Sequence, residues 1–272
     1  TVSCRSRPMS EPPTVISGDC INSAWSRYFL HVMHVPNRKC GAAIISVNCE
    51  TQYDPQSEVR VELDRVLLSK NLYSSDISAM TIFPQKVWKC NQSLSVKDFC
   101  DLCVTKLAPR LKAMNQANRN GLYFERMMSY AGSKKDTPTR TNQLEAIVDR
   151  LNGRKKFRVT GLQMSCFDPA SDHTAQPQRG FPCLQQVGVD YDGEDGISVT
   201  ALYPAHNVVD RAYGNLLGLM NLGRFVGHHS GLKLKRLNCY AMSPRLGKVV
   251  KRDVQNLVGT VSTYLQSEEK VA

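Results

Sequence analysis

Apolar residues recur at helical spacing most clearly over residues 142–151, where Leu144, Ile147, Val148 and Leu151 share a face and Asn152-Gly153 supplies a stop. The same period runs through residues 19–34, with Trp25, Tyr28, Phe29 and Val32 on one stripe and Asp19 or Asn22 as the cap. It returns over 95–114 (Phe99, Leu102, Cys103, Leu107, Leu111), over 212–229 (Leu216 through Phe225, with Gly231 as the stop) and over 253–265. Short β-branched or alternating runs predict strands at 41–48, 157–167 and 234–242. Two more, 183–191 and 197–203, flank Asp192-Gly-Glu-Asp-Gly196 and read as a hairpin. Residues 59–69 fit a helix or a strand, and 80–83 before Pro84 a short strand or loop. Residues 132–141 and 168–180 read as loops, and 1–18 as a flexible polar lead-in. Neither a repeat nor a linker divides the remainder, so 19–272 is expected to be a single α+β domain.

Composition narrows this little. At 272 residues, 42% hydrophobic and 22% charged, the chain is ordinary for a globular protein. No run of eighteen apolar residues predicts a membrane span, and Thr1–Pro13 does not read as a signal peptide. A cytoplasmic protein with reduced thiols is therefore expected.

Charge changes the picture more. A formal charge of +11 favours anionic partners, although the cations sit in short clusters, such as 154–158 and 233–236, with no interleaved aromatic stripe. Such clusters favour a solvated face over a nucleic-acid footprint. Ten cysteines are scattered without an even framework. Cys100-Asp-Leu-Cys103 has no second pair for a zinc ribbon, and His31 and His34 have no third ligand, so no metal is expected.

A set of motifs then occurs in order. Gln143-Leu144 opens the 142–151 helix, and Met164-Ser165-Cys166-Phe167-Asp168-Pro169 ends the following strand. Phe181-Pro182-Cys183, the hairpin, Ser198 to Asn207, Gly214-Asn215 and His229-Ser230-Gly231-Leu232 come next. This order, over about residues 120–240, resembles the thymidylate synthase and pyrimidine-nucleotide hydroxymethylase family.

The resemblance implies an α/β (α+β) fold, a large mixed sheet flanked by helices, in a homodimer packed sheet to sheet. It implies one-carbon transfer, methyl or hydroxymethyl, to C5 of a pyrimidine nucleotide or nucleoside, with methylenetetrahydrofolate as donor. Cys183 is then the nucleophile that attacks C6, and Asn215 reads the pyrimidine edge. Asn207 falls where the family has an Asp, and Arg158 matches one of two phosphate arginines donated across the dimer. His206 lies in the matched segment as a substrate-binding residue or general base.

Several family positions differ here. Pro204 stands where the family has a phosphate-binding Arg, Leu184 follows the nucleophile in place of His, and Arg245 and Gly247 replace a ribose-binding His and Tyr. Glu58 and Glu62 are candidates for the catalytic Glu by position alone. Arg158, Arg179 or Arg245 would poise the thiolate. Read without the resemblance, Cys183 is an inert core thiol, Asn215 a helix cap and His206 a hydrogen-bonded structural residue. These departures admit an unusual pyrimidine, folate-independent chemistry on the same scaffold, or a non-catalytic module binding nucleotide or nucleic acid.

Overall fold

The structure, a computed structural model, describes residues 12–35, 40–50, 56–134, 137–153, 158–173, 175 and 182–270, leaving aside the side chains of residues 117 and 132–139. Its first half runs β1 (Thr14–Gly18), α1 (Ile21–His34), β2 (Ala43–Asn48), α2 (Glu58–Ser69), α3 (Ser75–Met80), α4 (Gln85–Lys89), α5 (Val96–Leu102), α6 (Ala108–Met114), α7 (Tyr123–Met128), β3 (Tyr130–Lys134) and β4 (Thr137–Thr141). The second half runs α8 (Gln143–Asn152), β5 (Gln163–Ser165), α9 (Pro169–Asp172), β6 (Gln186–Tyr191), β7 (Gly196–Tyr203), β8 (His206–Asn207), α10 (Tyr213–Ser230), β9 (Lys233–Ala241), β10 (Pro244–Arg245) and α11 (Gln255–Glu269).

Six strands form one mixed sheet in the order β1-β2-β9-β7-β6-β5. β1 lies parallel to β2 and β7 parallel to β9, while the remaining neighbours are antiparallel. Side chains alternate across the sheet, as the two-residue period of a strand requires. Ala43, Ile45, Val47, Val199, Ala201, Tyr203, Leu237 and Cys239 are buried, whereas Ser46, Asn48, Thr200, Asn238 and Tyr240 are half-buried or exposed. Helices flank this sheet, with α1 against β1 and β2 and α10 against β7 and β9. α10 is buried from Tyr213 to Gly223, which is why its sequence is apolar around nearly its whole circumference. Buried residues from Ile16 to Val261 join in one hydrophobic core.

The structure departs from the sequence expectations in several places. Thr14–Gly18 is a strand rather than lead-in, because pairing with β2 buries Ile16 and Gly18 in a stretch too short to show a period. Residues 59–69 are helical, burying Val59, Leu63, Val66 and Leu67. The 80–83 segment is the end of α3 and the turn after it, and Tyr130–Lys134 and Thr137–Thr141 pair as antiparallel strands where a loop was expected over 132–141. The strand expected over 157–167 shrinks to Gln163–Ser165, behind a 3-10 turn at Val159–Gly161. The 95–114 helix widens into a π turn at Cys103–Leu107, just before Pro109, whose missing N–H interrupts the regular ladder.

Two glycines let α3 lie directly on α10. A Cβ on Gly214 would come 2.5 Å from the Ser78 Cβ and 2.6 Å from the Ser75 carbonyl oxygen, and one on Gly218 would come 2.7 Å from the Ala79 carbonyl oxygen. Backbone neighbours cannot rotate away, so overpacking outweighs the better helix propensity of alanine. Gly214→Ala is expected to cost about 2 kcal/mol and to lower Tm by ~4–8 °C in thermal melts. Gly259→Ala is the control, since a Cβ there meets open space, and is expected to leave Tm unchanged or higher. An unshifted Gly214→Ala melt would refute the packing argument.

Candidate functional site

Cys183 lies in the turn that leads into β6. The Gln185 side chain steadies this turn by donating to the Pro182 carbonyl (2.9 Å), and the Gln185 N–H donates to the Leu202 carbonyl (2.9 Å). The Cys183 N–H donates to the hydroxyl of Tyr123, the first residue of α7, at 3.1 Å. Cys183 is exposed, yet the protein packed behind the thiol still strips away solvent and raises its pKa above the ordinary 9.0. Arg211, the Tyr123 hydroxyl and Arg245 each pull in the opposite direction, favouring the thiolate. Burial raises the Tyr123 phenol as well, so it stays protonated and able to donate to a sulfur anion.

The two arginines that act on the thiol electrostatically come from different elements. Arg211 sits on the π turn Val208–Ala212 that runs into α10. Its guanidinium lies 5.3 Å from the centroid of the Tyr73 ring and donates to the Ser78 hydroxyl at 3.4 Å. Arg245 is exposed on β10, in register with Asn207 on β8. The Asp210 carboxylate, itself raised in pKa by burial, accepts the Lys248 N–H at 3.0 and 2.9 Å. This ties the segment after β10 to the π turn, with Gly247 (φ +112) leaving room for the carboxylate. Among the described residues, neither Arg211 nor Arg245 forms an ion pair.

Behind them lies a chain of rings and amides. Tyr203 ends β7 fully buried, close enough to Tyr123, Cys166, Cys183 and Cys239 that each opposes its ionisation. Its hydroxyl has no hydrogen-bond partner among the described residues. The Tyr203 ring stacks on His206, with centroids 4.4 Å apart and planes 23° from parallel. His206 Nε2 faces Asn215 Nδ2 at 3.2 Å, and its Nδ1 faces the Tyr28 hydroxyl at 3.4 Å. With the amide nitrogen donating, Nε2 accepts and Nδ1 carries the ring proton. Burial lowers the His206 pKa to about 3, so the ring is neutral and cannot take up a proton at neutral pH.

His206 and Asn215 meet directly, and Tyr203, which stacks on His206, lies within electrostatic range of Tyr123 and Cys183. The general-base expectation for His206 gives way to a positioning role, because both ring nitrogens are engaged inside the protein. Asn215 caps nothing, since helical backbone runs unbroken from the π turn into α10, and its side chain instead meets His206. Asn207 is half-buried beside Arg245.

Arg158 is exposed before the 3-10 turn and is not among the groups acting on Cys183, while Arg179 and residues 154–157 lie outside the described residues. Glu58 is exposed, and Glu62 is held by Arg65 at 2.6 Å, which keeps its carboxyl below the usual range. Burial lifts the Cys100 and Cys103 thiols to about 12, so the CxxC pair is core. No metal-binding cluster of His, Cys, Asp or Glu occurs among the described residues, and none of their helices is long and apolar enough to cross a membrane. The 233–236 cations clamp the hairpin turn: Lys235 pairs with Asp192 and Asp195 at 2.8 Å, and Lys233 with Asp195 at 3.0 Å.

Sequence reasoning missed Tyr123, Tyr203 and Arg211, which come from three separate elements and carry no shared spacing. No family model matches the chain, and no curated protein matches it.

Proposed function

We propose that the chain is a thymidylate-synthase-like enzyme transferring a one-carbon unit to C5 of a pyrimidine nucleotide, with Cys183 as the nucleophile. The observation that carries the reading is a cysteine thiol in the field of two arginines that form no ion pair among the described residues. Those arginines favour an anionic substrate and stand in for the phosphate-binding Arg absent at Pro204. A nucleoside monophosphate is therefore preferred over a nucleoside.

In this reading the Cys183 thiolate adds to C6, and the C5–C6 π electrons move toward C5 and O4. C5 then forms a bond to the one-carbon electrophile, the C5 proton leaves, and expulsion of the thiolate restores the ring. Tyr123 donates to the sulfur, and Arg211 and Arg245 hold its charge and the phosphate. Asn215, its amide set by His206, reads the pyrimidine edge.

Methylenetetrahydrofolate is the proposed donor from the resemblance alone. A pterin stacks on a free ring face, whereas Tyr203 and His206 stack on each other and offer none between them. The half-exposed polar face of the sheet, with Ser46, Thr200, Asn238 and Tyr240, is the proposed homodimer surface that would bring Arg158 to a neighbouring site.

A thermal-shift screen tests the substrate class through linkage. Pyrimidine monophosphates are expected to raise Tm more than the matching nucleosides, and Arg211→Gln with Arg245→Gln to erase the difference. Equal shifts for both ligand sets, or none, would sink the nucleotide reading.

A further inference from the structure

A cavity whose lining does not include Cys183 lies between α3, α4 and α10, with a volume of about 530 Å³, within the size range of small-molecule sites. Met80, Phe83, Val87 and Leu217 give it an apolar floor. Arg60, Lys86, Lys89 and Arg224 supply cations against a single carboxylate, Asp76. Arg60 and Lys86 are drawn to that carboxylate, whereas Lys89 and Arg224 form no ion pair among the described residues.

Two amides line the same space. Leu217, Asn221 and Arg224 fall at i, i+4 and i+7 on α10 and so share a face. Asn221 is only 8% exposed, and its side chain makes no hydrogen bond among the described residues. The Gln85 Oε1 is enclosed and without a partner there too. Buried amides without partners are disfavoured in a folded protein, and here both border a cavity of matching character.

We propose that this cavity is a binding site for an amphipathic organic anion. Its carbon body lies over Phe83, Met80 and Leu217, its acidic group meets Lys89 and Arg224, and Asn221 and Gln85 take its remaining polar atoms. None of the groups that act on the Cys183 thiol lines the cavity, so the site stands or falls independently of the pyrimidine reading.

The test uses the fluorescent aromatic sulfonate 8-anilinonaphthalene-1-sulfonate on the intact, folded chain, with decanoate and uncharged decanol as competitors. Decanoate is expected to displace the dye more tightly than decanol. Lys89→Gln combined with Arg224→Gln, on exposed and half-buried positions, is expected to weaken decanoate about tenfold while leaving decanol unchanged. Leu217→Trp, filling the cavity, is expected to abolish both. Failure of decanoate to compete, equal losses for decanoate and decanol in the charge variant, or undiminished binding to folded Leu217→Trp would each overturn the proposal. If Leu217→Trp does not fold, the charge variant decides alone.

Discussion

Cys183→Ala is expected to eliminate release of tritium from a C5-tritiated pyrimidine monophosphate, a loss on the order of 10³-fold or more, because no covalent adduct can form at C6. The same variant is expected to bind the nucleotide nearly as well as the parent, since the arginines, Tyr123 and Asn215 remain. That split between turnover and binding separates a nucleophile from a structural thiol. The pH dependence supplies a second signature. Solvent stripping raises the Cys183 pKa above 9.0 despite Arg211, Tyr123 and Arg245, so the thiolate is the minor form at neutral pH. In that range kcat/KM is expected to rise about tenfold per pH unit until the thiol ionises. Arg211→Gln removes the largest of the stabilising influences and is expected to move the rising limb to higher pH. A parent protein that releases no tritium from any pyrimidine, or a Cys183→Ala variant that still does, would overturn the assignment.

How much was legible in the sequence depends on how local each feature's cause is. α8 was readable because it buries a periodic stripe, and α10 because its apolar run ends at Gly231 with φ +69, the left-handed stop a glycine allows. The β6–β7 hairpin was readable from its turn, where Asp192 accepts the N–H groups of Glu194 and Gly196. β1 was not, because five residues borrow their order from β2 rather than from their own pattern.

The same distinction governs the site. Cys183 and Asn215 could be singled out as residue types in ordered motifs. The environment that decides what they do comes from distant chain: Tyr28 lies 178 residues from the His206 it faces, and Tyr123 lies 60 residues from Cys183. Pro204 had argued against a phosphate clamp. The two arginines that act on the thiol, Arg211 and Arg245, come from the π turn and β10, segments that Asp210 ties together by accepting the Lys248 N–H. No one-dimensional spacing encodes that fastening.

His206 gives the largest expected effect on stability, and its sign can be worked out. Its pKa falls from 6.5 to about 3 in the folded protein because burial disfavours the imidazolium. Between those values the unfolded chain binds a proton that the folded chain refuses, so stability rises with pH across the window. The contribution is complete above pH 6.5 and is withdrawn as pH falls toward 3, at about 1.4 kcal/mol per pH unit. By pH 4.5 the expected loss is ~2–3 kcal/mol, which is large against the ~5–15 kcal/mol of a typical domain. His31 and His229 are also lowered by burial and act with the same sign, so the informative quantity is a difference between variants. His206→Gln keeps an amide acceptor for Asn215 and a donor for Tyr28 but cannot titrate. Urea melts between pH 4.5 and 7.5 are expected to give a shallower slope for His206→Gln than for the parent, whatever its stability at pH 7.5. Parallel slopes would mean that His206 is protonated in the folded state, and the neutral imidazole that positions Asn215 would have to be abandoned.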